Sequence, residues 1–378
     1  MWSWKVSTSL NMGNAPIIRD VTCGMSVLHS VADWRTAAAS AFAGALGRMD
    51  PARPVLIVGH FDADGLAAVA IVKRALDRIG RDAAIRLVGR GENPWDAALI
   101  EEWHARAPAG LLVLDLGVRE GSLSPAPTVI IDHHRPTGTP CEAVVVSGNG
   151  LDPEPTSALL AWHCARGVAD VNDLLWLAAL GLIGDMAPED GFPELGQAQA
   201  RFGKTALRDA VSLINAPRRT ASADAGPALA LLLACDGPKE IVRGNRPEVA
   251  QLYAAKEEVR AELDQAKRVP PKVRDDLALI RFHSACQIHP LVAQQWRGRL
   301  KDKIVLAANT GYRPGWVHFA ARSASGRDLI DFLAEHRPPG ADAHYGSGHA
   351  QATGGALRLP DWNRFVAEIG FPDQQVSL

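Results

Sequence analysis

Three short apolar runs, each closed by acidic or histidine side chains, constrain the fold of this chain more than anything else in it. They are VLIV at residues 55 to 58, followed by the H-x-D-x-D cluster His60, Asp62 and Asp64; LLVL at 111 to 114, closed by Asp115; and VII at 129 to 131, closed by Asp132, His133 and His134. Between them lie segments with helical spacing, the Ala/Val/Ile-rich stretch opened by Gly65 and the stretch from Trp95 to Ala107. Uninterrupted apolar runs separated by helices are what strands buried on both faces of a parallel sheet look like. Ligands of open α/β sheets gather at the carboxyl ends of the strands, so all three polar clusters are expected along one edge. An apolar helix over residues 172 to 183 then runs into Gly184-Asp185 and brings Asp185 to the end of an apolar element, where with Asp62, Asp64 and Asp115 it makes four carboxylates.

Four carboxylates gathered at one edge repel one another and raise one another's pKa values, so such a cluster is expected to hold cations. Their number points to two ions. A pair about 3.5 to 4 Å apart activates water and clamps a phosphoryl group. Mixed carboxylate and imidazole donors suit Mn²⁺, with Mg²⁺ or Co²⁺ as substitutes.

At 378 residues and 47% hydrophobic content the chain is long enough for two or three globular domains. The fold class expected is α/β in three parts: a parallel-sheet metal domain over residues 27 to 200, a helical connector over 201 to 271 ended by Pro270-Pro271, and a smaller α/β domain over 272 to 378. The active site is expected in the cleft between the two α/β domains. The last domain carries strand-like runs at 277 to 282, 304 to 309 and 316 to 321, and a helix near 328 to 335. Residues 1 to 26 show no clear period and suggest neither structure nor role.

Forty basic against 42 acidic residues give a net charge of −2, so no global positive field advertises a long polyanion, and any such partner must be met by a local patch. Five cysteines without a C-x-x-C argue against a disulfide framework or structural zinc and fit a reducing cytoplasm. The opening MWSWKVSTSLNMGNAP lacks a continuous apolar core, and no run of about 18 apolar residues occurs, which predicts a soluble, unexported protein without a membrane partner.

The motifs HFDADG, LDLG, IDHH and LIGDM, in that order, resemble the four metal-site motifs of the DHH phosphoesterase superfamily. DADG with the fourth motif most resembles the RecJ-like single-strand exonuclease branch. A histidine two residues before the first aspartate is closer to the archaeal RecJ-like type; bacterial RecJ-like proteins have one about two residues earlier, where this chain has Val58. GSGH at 346 to 349 and AARS at 320 to 323 resemble the glycine-rich and arginine motifs of the associated DHHA1 domain.

The resemblance implies that His60, Asp62 and Asp115 hold one metal, and that Asp64, Asp115, His133 and Asp185 hold the other, with Asp115 bridging. Asp132 is implied to support the site from behind by orienting a ligand histidine, and His134 to face substrate phosphate. Arg322 is implied to pair with a phosphate, Gly346 and Gly348 to let the backbone approach the nucleotide, and His349 to donate to phosphate. Ser347 stands where the family usually has glycine.

The activity implied is hydrolysis of single-stranded DNA or RNA from an end, releasing nucleoside monophosphates. Spacing alone supports only metal-dependent phosphoryl hydrolysis. An enzyme for short substrates, oligoribonucleotides or cyclic dinucleotides, is the alternative within the superfamily, and a catalytically silent structural or replication partner is the alternative outside enzymes. Standing alone, Asp-x-Asp-Gly is usually a turn, paired histidines are usually packing residues, and Gly184-Asp185 is an ordinary helix end; the joint order of the motifs outweighs these readings. The basic clusters Arg218-Arg219, Lys267-Arg268 and Arg297 to Lys303 read as solvated faces in preference to a phosphate track. Oligomeric state, polarity and the choice of DNA or RNA leave no mark in the sequence.

Overall fold

Strand and helix alternate through the first half of the chain, as the apolar runs dictate. The computed structural model describes residues 33–341, 345–346 and 348–377. Asp33 caps α1 (Trp34–Leu46), and β1 (Val55–His60), α2 (Ala63–Arg78), β2 (Ala83–Val88), α3 (Ala97–Arg106), β3 (Leu111–Leu114), β4 (Thr128–Asp132) and β5 (Ala143–Ser147) follow. All five strands are parallel, in the order β2-β1-β3-β4-β5. The chain steps outward from β1 to β2 and returns to the other side of β1 at β3, so strand order reverses there. That reversal opens a crevice outside the carboxyl ends of β1 and β3.

Alternate residues of these strands feed two cores. Ile57, Leu112, Leu114 and Ile131 face the core shared with α1 and α2, while Leu56, Val58, Val113 and Ile130 face Leu99 and Trp103 of α3. Burial on both faces explains why the runs are continuous instead of alternating. β5 is a strand the sequence reading did not anticipate. Its run closes on Ser147 with no charged side chain to mark the end.

Helices α4 (Ser157–Arg166), α5 (Leu175–Gly184), α6 (Pro193–Phe202), α7 (Lys204–Ile214), α8 (Gly226–Ala234), α9 (Pro238–Arg243) and α10 (Pro247–Ala266) come next. α2 lies between the sheet and α4, α5 and α8, with every residue from Ala63 to Val72 buried. The stretch expected as a connector is divided in the structure. Leu207, Leu231, Ile241 and Leu252 join the first core, and only the far half of α10, through Val259 and Ala266, packs on the second sheet. An amphipathic helix such as α7, with Leu207, Val211 and Ile214 on one stripe, must bury that stripe, and the nearest apolar surface is α5.

Beyond Pro270-Pro271 lies a six-stranded mixed sheet made by β6 (Lys272–Arg274), β7 (Leu277–Phe282), β8 (Ile304–Asn309), β9 (Trp316–Ser323), β10 (Gly348–His349) and β11 (Ala352–Arg358), in the order β10-β11-β9-β8-β7-β6. Only β7 and β8 pair in parallel. α11 (His289–Arg299) covers one face, and α12 (Leu329–Glu335) and α13 (Leu359–Glu368) cover the other. Trp362, fully buried on α13, contributes on the order of 3 kcal/mol through the area it removes from water. Among the described helices none is long and apolar enough to cross a membrane. Cys164, Cys235 and Cys286 are free thiols, and Cys23 lies outside the described residues.

Candidate metal centre

The chain leaves β1 at His60 and turns at once into α2. Asp62 caps that helix, its carboxylate accepting from Gly65 N at 3.1 Å, and Asn215 Oδ1 accepts from Ala63 N at 3.1 Å. Asp64 sits in the first turn of α2 but points away from it. Its Oδ2 accepts from Ser157 N at 2.8 Å and its Oδ1 from Ala158 N at 2.9 Å, so a carboxylate 93 residues upstream caps α4. Thr156 occupies the N-cap position without a side-chain cap bond of its own. The positive end of the α4 dipole therefore holds Asp64. Gly181 of α5 makes room for it, since a Cβ there would lie 2.1 Å from Asp64 Oδ1.

β3 delivers Asp115 in a left-handed conformation, φ +61°, with its N–H bonded to Ile131 O at 3.0 Å. Asp115 Oδ2 lies 3.5 Å from His60 Nδ1, and its Oδ1 lies 3.7 Å from His133 Nε2 and accepts from Ser157 Oγ at 2.8 Å. His60 Nδ1 also lies 3.1 Å from Asp62 Oδ1, while His133 Nε2 is 3.2 Å from Asp185 Oδ2 and 3.9 Å from Asp64 Oδ2. Ligand atoms thus converge as His60, Asp62 and Asp115; as Asp64, His133 and Asp185; and as Asp115, His133 and His134, each set within 4.8 Å. Asp132, fully buried, accepts from His134 N and from Gly117 N, both at 2.7 Å, and faces His134 Nδ1 at 3.3 Å. It holds the loop after Asp115 and the His134 ring; the structure shows no bond from it to His133.

The electrostatics follow from this crowding. Burial, then the charges of Asp115 and Asp185, push the Asp64 carboxyl well above the usual range, and burial likewise raises Asp115. Against burial, the charge of Asp62 and the hydrogen bond to Asp115 lift His60 to about 10, and the close approach of the Asp185 carboxylate, then the charges of Asp64 and Asp115, lift His133 to about 10. The hydrogen bond to Asp132 raises His134 to about 9. Against burial, the His60 charge holds Asp62 well below the usual range. His133 Nε2 is buried, turned toward three carboxylates and without a hydrogen-bond partner. An unmade bond at a buried nitrogen beside the raised carboxyls of Asp64 and Asp115 is the environment a divalent cation relieves, and the imidazole and carboxylate donors fit such an ion.

Of the remaining predicted residues, Arg322 lines a cleft of about 780 Å³ between the two sheets, walled by Glu92, Asn93 and Arg119 on one side and by His289, Trp316 and Arg322 on the other. Burial and the charge of Arg297 lower the Arg322 pKa, and its guanidinium donates to Ala321 O and Thr353 O. Gly346 and Gly348 adopt φ +76° and +135°, conformations open to glycine, in the turn leading to β10. His349 is exposed in the β10–β11 hairpin and is not among the residues lining the cleft. Ser347 lies outside the described residues.

Several neighbours of the centre escaped the sequence reading. Arg218 is not on a solvated face: its guanidinium comes within 3.9 Å of Asp62 Oδ2, with Nε buried and unbonded. Burial and the Arg218 charge bring Arg219 down to about 10. Ser157 bonds Asp115, and Glu154 Oε1 lies 3.6 Å from His133 Nδ1. Their contacts are made across the fold, and the one local signal was the Asn215 to Arg219 polar run between two helices.

No family model matches the chain. The Escherichia coli protein named single-stranded-DNA-specific exonuclease RecJ is 25% identical over 389 residues, covering 84% of this chain and 65% of that protein. The chain thus spans just under two thirds of that relative. The structure of RecJ in complex with Mn²⁺ from Thermus thermophilus has a TM-score of 0.65 at 20% identity, covering 89% of this chain and 54% of that one. A structure of exonuclease RecJ bound to manganese has a TM-score of 0.61 at 21% identity, covering 90% of this chain and 97% of that one. The α/β architecture, parallel sheet followed by a second α/β unit, is the fold these structures share.

Proposed function

We propose, on the premise that the chain is a member of the DHH/RecJ-like superfamily, that it is a two-metal phosphodiesterase removing nucleoside monophosphates from an end of single-stranded nucleic acid. One observation carries this reading. The two oxygens of Asp115 face different ligand sets, Oδ2 toward His60 and Oδ1 toward His133. A carboxylate so placed would be a ligand common to two cations. His60, Asp62 and Asp115 would hold one, and Asp64, Asp115, His133 and Asp185 the other, with Mn²⁺ favoured by the mixed donors. Bound there, divalent ions supply Lewis acidity to phosphoryl oxygens and acidify water.

The chain's own residues do the rest. Asp132 anchors His134 at Nδ1, which leaves the other edge of this half-exposed ring to meet a phosphate oxygen. Arg218, close to Asp62, is in reach of the same phosphoryl group from the α7–α8 side. Arg322, which lines the cleft on the second sheet, would offer a planar fork to a further phosphate of the strand. His349 and the glycine turn complete this reading as contacts made once a strand enters the cleft. A cytoplasmic protein acting on DNA or RNA strands is part of the same proposal.

The test is end-labelled single strands from two to about thirty nucleotides, as DNA and as RNA, incubated with Mn²⁺ and with an Asp62→Ala control. Preference for the longer strands is expected. Cleavage confined to dimers and trimers would replace this reading by the short-substrate one. Absence of Mn²⁺ binding, with Asp115→Ala leaving function intact, would reinstate the silent structural role.

A further inference from the structure

We infer that Glu154 is a positioning residue: it fixes the ring of His133 so that Nε2 presents its lone pair to the ion shared with Asp64, Asp115 and Asp185. The inference rests on the metal reading above and adds a residue that neither the motif pattern nor the ligand sets contain. A neutral imidazole carries one N–H, and ligation at one nitrogen puts that hydrogen on the other. His133 turns Nε2 to three carboxylates, so Nδ1 needs an acceptor. Among the described residues the carboxylate facing it is Glu154, 3.6 Å away. The His133 side chain is 16% exposed, which limits what water alone can do, whereas the Glu154 side chain, 43% exposed, is free to close the remaining fraction of an ångström.

The position of Glu154 in the chain strengthens the case. It opens the five-residue stretch 154 to 158 that leads into α4. In that stretch Ser157 N and Ala158 N hold Asp64, and Ser157 Oγ holds Asp115. With Glu154 on His133, one short segment orients three of the four side chains assigned to one ion. None of these contacts reaches His60 or Asp62, which belong to the other. Asp115 is common to both ions, but His133, which Glu154 faces, is assigned to one alone. A disturbance at Glu154 is felt by one ion and not by its neighbour.

The experiment is a calorimetric titration of the full chain with Mn²⁺, fitted to two sites, for wild type, Glu154→Ala and Glu154→Gln. Glu154→Ala is expected to weaken one site by roughly 10- to 100-fold and the other less than about twofold. Glu154→Gln keeps an oxygen able to accept from Nδ1 and is expected to fall between the two. At saturating Mn²⁺ the turnover of Glu154→Ala recovers, with the loss confined to the metal requirement. Wild-type affinity at both sites in Glu154→Ala, or equal weakening of both, overturns the inference while leaving the metal centre standing. A wild-type protein that binds no Mn²⁺ removes the metal reading and this inference with it, so the two failures are told apart by the first titration.

Discussion

Asp115 shows how much the centre asks of a single residue. It sits at φ +61° without being glycine, a conformation that costs on the order of 1 kcal/mol, and its burial raises its pKa. For a carboxyl whose folded pKa is raised, the linked stability is present at low pH and is lost as pH climbs from the unfolded pKa through the folded one. At neutral pH the charge is a liability to the fold. Asp115→Asn is therefore expected to raise the stability of the chain in a chelator by about 1 kcal/mol, abolish the Mn²⁺-induced rise in melting temperature, and lower activity by at least roughly 10³-fold. Thermal melts with and without Mn²⁺ read this directly, and a destabilised variant in chelator would contradict it. The acids and histidines at the centre were legible because each ends an apolar run and so announces its own place at a strand's carboxyl end. Ser157, Glu154 and Arg218 were not. Each reaches its partner through tertiary packing, as when Ser157 meets Asp64 across 93 residues, and nothing in the neighbouring sequence encodes that contact.

At the scale of elements, α4 and α5 hold the centre by approach as much as by bonding. Gly181→Ala would place a methyl group 2.1 Å from Asp64 Oδ1 and 2.6 Å from Ala158 Cβ, with Thr156 Oγ1 behind at 3.1 Å. The carboxylate must then leave the α4 N-terminus, so the variant is expected to lose about 2 kcal/mol of stability and to bind Mn²⁺ more weakly, measured by denaturant titration and by calorimetry. A second tie joins α1, α4 and α6. Glu194 accepts from Arg35 Nε at 2.8 Å and lies 3.1 Å from His163 Nε2, and against burial these bonds hold its carboxyl at about 2. A depressed carboxyl stabilises the fold above its unfolded pKa of 4.5 and loses that contribution as pH falls toward 2. Glu194→Gln is expected to flatten the acid limb of the stability curve between those values and to cost about 1 kcal/mol at pH 7, discounted because Arg35 is partly exposed. An unchanged acid limb in urea melts taken at several pH values would refute it. The elements themselves were legible where period and boundary coincide, as in β1, β7 and β8. α11 and α13 went unread because His289-Pro290 and Leu359-Pro360 look like breaks, whereas proline in the first helical turn is a start.

Across the whole molecule, every residue assigned to the metals comes from His60 to Asp185, while the cleft needs both sheets. The short segment from Pro217 to Ala221 joins the two. Arg90 donates to Thr220 O and Ala221 O and stacks on Tyr312 of the second unit at 4.2 Å; Gln287 N donates to Arg219 O at 2.8 Å; and Glu258 on α10 accepts from Ala221 N and from Cys286 Sγ. Arg218, beside Asp62, rides on that segment, so the spacing of the two units and the aim of its guanidinium are set together. Removing the stack takes away roughly 1 kcal/mol of contact between units without touching a metal ligand. Tyr312→Ala is thus expected to leave Mn²⁺ affinity unchanged, to speed amide exchange at residues 217 to 221 and 283 to 288, and to raise KM for single strands about fivefold with a smaller change in kcat. A loss of Mn²⁺ affinity would mean that the centre depends on the second unit, and unchanged KM would mean that the strand is gripped by the first unit alone. Either result would contradict the proposed division of labour, in which the parallel sheet would supply the chemistry and the segment between the units would bring a strand to it.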